Sequence, residues 1–291
     1  MQEIQNIQWF PGHMTKTRRQ IEKCLPLVDA VVEIADARIP ASSRNPDLAG
    51  IVVNKPRLLL LNKCDVADPY ATSKWIEKVS SEGIPTLAVD CRSGKGLNAF
   101  IPAVSDLLKE RTRRLAAKGM VAPRLRVMVV GIPNVGKSSF INRMAGKGKA
   151  KVEDRPGVTR GNQWFTVGKN IDLLDTPGVL WPKFDDMAVG ERLAFTGAVK
   201  DEVTDTVWLS YRLLGFLSEN YPQLLSDRYK LNLDSLSSVE EIFEKIARSR
   251  GMLMSGGVVN DERCAVMLLD EFRGGKIGRI TLELPGGAEN A

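Results

Sequence analysis

Residues 131–138, Gly131-Ile-Pro-Asn-Val-Gly136-Lys137-Ser138, fit the spacing G-x-x-x-x-G-K-[ST]. An apolar run at 125–130 precedes them and a helical pattern at 137–145 follows. A loop of this kind wraps phosphate groups with backbone N–H donors, and the following helix adds the positive end of its dipole. Gly136 lets the backbone approach closely. Lys137 is placed to reach β- and γ-phosphates and Ser138 to coordinate Mg2+, with Asn134 and Val135 completing the turn.

Asp175-Thr-Pro-Gly178 ends a second apolar run at 171–174. An Asp at a strand's carboxyl end can hold Mg2+ through water, and a Gly three residues on can offer its N–H to a γ-phosphate. Between the two motifs lies Asp154-Arg-Pro-Gly157-Val-Thr159-Arg160, a polar loop. Its Thr159 is the candidate to close on Mg2+ and the γ-phosphate of a triphosphate.

Asn62-Lys63-Cys64-Asp65 follows the apolar run 57–61. The N-K-x-D pattern suits guanine. The Asp65 carboxylate can accept from the ring N1–H and the exocyclic amine, Asn62 can bond the opposite edge, and the Lys63 stem can pack on the ring face. Adenine lacks both donors and would leave Asp65 unpartnered, at a cost of roughly 1–3 kcal/mol. The segment Val89-Asp90-Cys91-Arg92-Ser93-Gly94 ends another apolar run and is expected to form the loop supporting the base, with Asp90 and Cys91 at its tip.

Five apolar runs, at 30–36, 57–61, 84–89, 125–130 and 171–174, are expected to be buried strands. Helical patterns at 16–25, 71–81, 97–117 and 137–145 alternate with them, which argues an α/β domain with a mostly parallel sheet. In such sheets ligands sit at the carboxyl ends of strands, where all three motifs fall. Beyond about 188 the patterns at 191–219, 239–249 and 261–273 are amphipathic helices, with a Gly/Ser-containing connection at 251–259. The expected organisation is a nucleotide-binding domain over 1–188 and a smaller all-α domain over 189–291.

The net charge of +6 is unevenly placed. Residues 201–291 hold 10 basic and 15 acidic residues, a balance of −5, which leaves +11 for residues 1–200. The basic stretch 103–126 is either a solvated helix face or a contact for a polyanion such as RNA. Hydrophobic content of 43% and charged content of 26% exclude a mainly disordered chain. No run reaches the ~18 apolar residues of a membrane span. The N-terminus lacks a signal-sequence pattern, and the four cysteines lack C-x-x-C spacing, so a cytoplasmic chain with free thiols is expected.

In most GTPases the phosphate loop precedes the guanine motif. Here the order is reversed, as if the termini had been joined through 103–126 and a new break opened after D-x-x-G. The sequence thereby resembles the circularly permuted GTPases that act in ribosome assembly. The resemblance rests on Trp9-Phe-Pro-Gly-His13-Met14, Asp36-Ala-Arg38-Ile-Pro40, Asn62-Lys-Cys-Asp65, the loop 131–138, Arg155-Pro-Gly-Val-Thr159, Asp175-Thr-Pro-Gly178 and Leu253-Met-Ser-Gly-Gly257. It implies a P-loop GTPase that matures the large (50S) ribosomal subunit, binds GTP and GDP with Mg2+, and contacts rRNA and ribosomal proteins through a helical C-terminal domain. No membrane or DNA partner is implied. Ser139 stands where the family often has Thr and is expected to serve the α-phosphate.

Many GTPases orient water with a Gln directly after D-x-x-G; here Val179 and Leu180 follow. The resemblance puts a proposed catalytic histidine at His13, the one histidine of the chain. Asn134 resembles the residue that helps hold K+ in potassium-activated GTPases, and K+ is an expected activator. Two other functions fit the same residues: an RNA-binding scaffold gated by nucleotide with little turnover, and a potassium-dependent RNA-modification GTPase.

Overall fold

The structure, a computed structural model, describes residues 11–120, 124–146, 163–178, 180 and 186–286, with the backbone alone for 11–17. Two compact units divide these residues. The first takes those up to Leu180 and returns at Thr281; the second runs from Asp186 to Ile280.

In the first unit, α1 (Pro11–Cys24), β1 (Ala30–Asp36), α2 (Pro46–Ile51), β2 (Arg57–Asn62), α3 (Pro69–Ser81) and β3 (Thr86–Ala88) come first. They are followed by α4 (Phe100–Leu107), α5 (Lys109–Ala117), β4 (Leu125–Val130), α6 (Lys137–Ala145), β5 (Gln163–Val167) and β6 (Ile171–Asp175). The six strands form one sheet in the order β3-β2-β1-β4-β6-β5, parallel except for β5. Successive side chains of a strand point to opposite faces, and every residue of β1 is buried, so helices cover both faces. That double burial is why the strands read as mostly apolar runs, broken only by single charged residues such as Glu33 in β1, Arg126 in β4 and Asp172 in β6.

The chain builds β1 to β3 outward on one side, then returns to lay β4 against the other edge of β1. The phosphate-loop strand β4 therefore sits centrally, between β1 and β6. The guanine-motif strand β2 lies beyond β1. This is the arrangement that a permuted chain order demands.

The second unit holds α7 (Met187–Phe195), α8 (Thr206–Asn220), α9 (Pro222–Tyr229), α10 (Val239–Ser249) and α11 (Asp261–Arg273). Leu213 and Leu217 of α8, Phe243 and Ile246 of α10 and Leu268 and Phe272 of α11 are buried. Tyr211 stacks on Phe243 with ring centroids 4.5 Å apart.

Four expectations change. The strand at 84–89 shortens to β3. The pattern 97–117 divides into a short turn, α4 and α5, because Leu108 leaves helical dihedrals at φ −104°, ψ 10°. The pattern 191–219 divides into α7 and α8: Gly197 takes φ +74° after α7, and the Asp205 carboxylate caps α8 by accepting from Trp208 N at 3.0 Å. The helical unit also ends at Ile280 rather than 291, and Thr281–Gly286 belong with the sheet.

Candidate functional site

Two glycines shape the loop after β4. Gly131 has φ +154° and Gly136 φ +100°. A Cβ at Gly131 would stand 2.5 Å from the Ile34 carbonyl oxygen, and one at Gly136 would stand 2.3 Å from Asn62 Nδ2. Both positions need glycine for conformation and for space. Asn134, at φ +59°, occupies the left-handed region that Asn tolerates better than most residues.

Lys137 opens α6. Its Nζ donates to the Gly131 carbonyl at 3.0 Å and the Ile132 carbonyl at 2.9 Å, which folds the amine into the loop. Burial lowers its pKa to about 8, opposed by the nearby Asp175 carboxylate. Burial in turn raises the Asp175 pKa, opposed by Lys137 and by the Thr176 amide. The two charges border a cavity of about 380 Å³, together with Asn134, Ser138, Gln163 and Gly178. Thr176 Oγ1 donates to the Val129 carbonyl at 2.6 Å and fastens the D-x-x-G turn to β4. A Cβ on Gly178 would meet Pro133 N at 3.0 Å and Lys137 Nζ at 2.9 Å, so the turn and the phosphate loop are within contact distance. Ser138 and Ser139 are exposed on the first turn of α6.

The guanine motif joins this loop through Asn62. Its side chain is buried, donates from Nδ2 to the Val135 carbonyl at 2.6 Å and accepts at Oδ1 from Cys91 N at 2.9 Å. One amide thus ties together the loops after β2, β3 and β4. Cys64 N donates to the Val89 carbonyl at 3.2 Å, a second link between the loops after β2 and β3. Asp90 shapes its own turn, with its carboxylate accepting from Arg92 N at 2.8 Å and Ser93 N at 3.2 Å. Asp65 meets the largely exposed Arg92 guanidinium at 3.3 Å.

Lys63 stands at φ +63°, and its Nζ pairs with Asp36 Oδ2 at 2.9 Å. Burial by itself would raise the Asp36 pKa. The Arg38 guanidinium and Lys63 prevail and hold it well below the usual carboxylate range. Arg38 grips both Asp36 oxygens, with Nε 3.0 Å from Oδ1 and Nη2 2.8 Å from Oδ2.

The structure thus brings together Asn62, Lys63, Cys64, Asp65, Asp90 and Cys91 on one side and Asn134, Val135, Gly136, Lys137, Ser138, Asp175 and Gly178 on the other. Thr159, Val179 and the side chain of His13 lie outside the described residues; the backbone of His13 is part of α1. Sequence reading gave no role to Asp36 and Arg38, although a charged pair at the carboxyl end of an otherwise apolar strand was a visible signal. It also missed Gln163 at the cavity edge, because the strand that carries it was not recognised.

Comparison with known proteins extends this geometry. Residues 126–213 match the family described as 50S ribosome-binding GTPase. A ribosome biogenesis GTPase A from Priestia megaterium is 49% identical over 284 residues, covering 97% of this chain and 98% of its own length. Another, from Bacillus licheniformis, is 48% identical over 96% of this chain and 98% of its own. Among solved structures, GNP-bound YlqF from T. maritima is 30% identical with a TM-score of 0.64, covering 93% of this chain and 99% of that one. With the phosphate, D-x-x-G and guanine loops assembled on a sheet in permuted order, and relatives matched across nearly their full length, this chain is a GTPase and belongs to the ribosome biogenesis GTPase A family.

Proposed function

We propose that this GTPase acts on the precursor of the large ribosomal subunit. Its GTP form binds the particle through rRNA and ribosomal proteins, and hydrolysis releases it. The description of the matched family and the names of the relatives support the substrate. The geometry that carries the nucleotide reading is the Asn62 amide, whose bonds to Val135 and Cys91 join base and phosphate loops in one site.

In this reading the backbone of Asn134 to Ser139 and the Lys137 amine hold the phosphates. Gly178 offers its N–H to the γ-phosphate. Asp65 accepts from the guanine edge, the Lys63 stem covers the ring, and Asn62, Cys64, Asp90 and Cys91 frame the base. The Ser138 hydroxyl and the Asp175 carboxylate, acting through water, border the same cavity and form the oxygen donor set that Mg2+ favours, with Thr159 as a third contributor. Mg2+ supplies charge neutralisation at the phosphates when bound. His13 orients the attacking water, a role supported by the apolar Val179 at the usual Gln position. Asn134 helps hold K+ as an activator, which predicts faster hydrolysis in K+ than in Na+ and loss of that difference in Asn134→Ala; equal rates in the wild type discard it.

Base choice is tested by competition binding. The wild type is expected to prefer GTP over ATP by at least ~5-fold, the lower end of the cost of an unmet charged hydrogen bond. Asp65→Asn is expected to shift preference toward xanthine nucleotides, whose C2 carbonyl accepts from the new amide. Equal GTP and ATP affinity in the wild type contradicts the guanine assignment.

A further inference from the structure

The last described residues of the chain, beyond the helical unit, form a strap on the segments that flank the motif 62–65. Thr281, Leu282 and Glu283 are all buried. Leu282 N donates to the Arg38 carbonyl at 2.7 Å, and Thr281 Oγ1 donates to the Ala37 carbonyl at 3.2 Å. The Glu283 carboxylate accepts from Ala41 N at 2.7 Å, from Ser42 N at 3.1 Å and from the Ser42 hydroxyl. Three consecutive strap residues therefore occupy the turn 37–42 that carries Arg38. The same strap reaches the other end of the guanine loop. Asp68 N donates to Thr281 Oγ1 at 3.1 Å, and Trp75 Nε1 of α3 donates to the Glu283 carbonyl at 2.9 Å.

The consequence runs through named contacts. Arg38 holds Asp36 with two hydrogen bonds, and Asp36 holds Lys63 by an ion pair. Lys63 sits in a left-handed conformation that costs a non-glycine residue of order 1–3 kcal/mol unless its surroundings enforce it. The strap supplies that enforcement at one remove: it fixes the Arg38 turn before the motif and Asp68 after it. A carboxylate satisfied by backbone N–H donors is also costly to remove, since the buried Ser42 amide would lose its partner.

We infer that Thr281–Glu283 is a positioning element for guanine recognition, in which Glu283 acts through the Arg38 turn and Asp36 on Lys63. The inference rests on the guanine reading of residues 62–65. It makes base affinity depend on residues more than 200 positions away in sequence, on the segment where the chain re-enters the sheet unit from the helical one. Glu283 touches no nucleotide in this scheme, so its effect is on how the loop is held.

The test is a double-mutant cycle on the full chain, read as GDP and GTP affinity by fluorescent-nucleotide titration, with thermal unfolding measured beside it. Lys63→Ala, Glu283→Ala and the double variant are compared with the wild type. Glu283→Ala is expected to weaken GDP and GTP by the same factor, on the order of tenfold, because the base is common to both. The double variant is expected to bind no more weakly than Lys63→Ala alone, and Glu283→Asp to recover part of the loss. Thr281→Val, which removes the Oγ1 bonds to Asp68 N and the Ala37 carbonyl, serves where Glu283→Ala does not fold. Additive losses in the cycle, or normal affinity in folded Glu283→Ala or Thr281→Val, overturn the positioning role. Normal affinity in Lys63→Ala overturns the strap's route through Lys63, whereas equal GTP and ATP affinity in the wild type overturns the guanine reading itself and the strap's role with it.

Discussion

Lys137 holds a charge where burial disfavours it, and this gives nucleotide binding a definite pH dependence. Burial brings its pKa down to about 8 from an ordinary value near 10.5. A phosphate beside the amine favours the charged form and raises that pKa again. Binding is therefore at full strength below pH 8. Above pH 8 a proton must be taken up, and affinity falls by a factor approaching ten per unit. Folding follows the same linkage: the burden of the buried charge is present below pH 8 and is relieved between 8 and 10.5, where the unfolded chain binds more protons. GDP titrations at pH 7 and 9 are expected to differ by about tenfold in the wild type. Lys137→Arg, whose guanidinium stays charged, is expected to flatten the profile. A flat wild-type profile removes Lys137 from the phosphate site.

Among the elements, α5 shows how structure sharpens a charge argument. Its sequence carries Lys109, Arg111, Arg113 and Arg114. Arg111 turns inward and pairs with Asp29 at 2.7 Å, so it anchors the helix beside β1. Arg113 pairs with exposed Glu110 in its own helix, and Arg114 is exposed. Exposed pairs of this kind contribute little and exchange partners readily. Under the proposed function, Arg113 and Arg114 rather than Arg111 are the residues of this helix available to an RNA backbone. Neutralising both is expected to reduce the slope of log affinity against log salt for large-subunit binding by about 1.4–1.8. An unchanged slope assigns the helix to solvent. The strand β5 illustrates the reverse case, an element that sequence reading overlooked. Parallel strands buried on both faces announce themselves as apolar runs, whereas β5 pairs antiparallel at the sheet edge, with Gln163 and Thr166 exposed among Trp164, Phe165 and Val167. Its signal is three apolar residues broken by polar ones over only five positions, with neither an apolar run nor a strict alternation to stand out.

Across the whole molecule, what could be read in advance was local. The phosphate and guanine motifs each fit a fixed spacing, and their reversed order already pointed to a permuted chain joined through 103–126; that β4 returns beside β1 came from the structure. What could not be read was any contact between distant segments: Asn62 bridging to Val135, Asp36 drawing Lys63 into the left-handed region, and Thr281–Glu283 returning to the turn 37–42. Sequence spacing carries no record of such contacts. The expected boundary at 188 rested on a change of periodicity, a signal the end of the helical unit at Ile280 lacks, since among the described residues no strand or helix forms beyond it. Among the described residues no helix is long and apolar enough to cross a membrane. The account as a whole predicts a GTPase whose turnover answers to its particle. Single-turnover GTP hydrolysis with and without large ribosomal subunits, in K+ buffer, measures this directly. The wild type is expected to be stimulated by at least ~10²-fold, the lower range for positioning a catalytic group, and His13→Ala to bind GTP and lose the stimulation. A wild-type rate that large subunits leave unchanged contradicts the account.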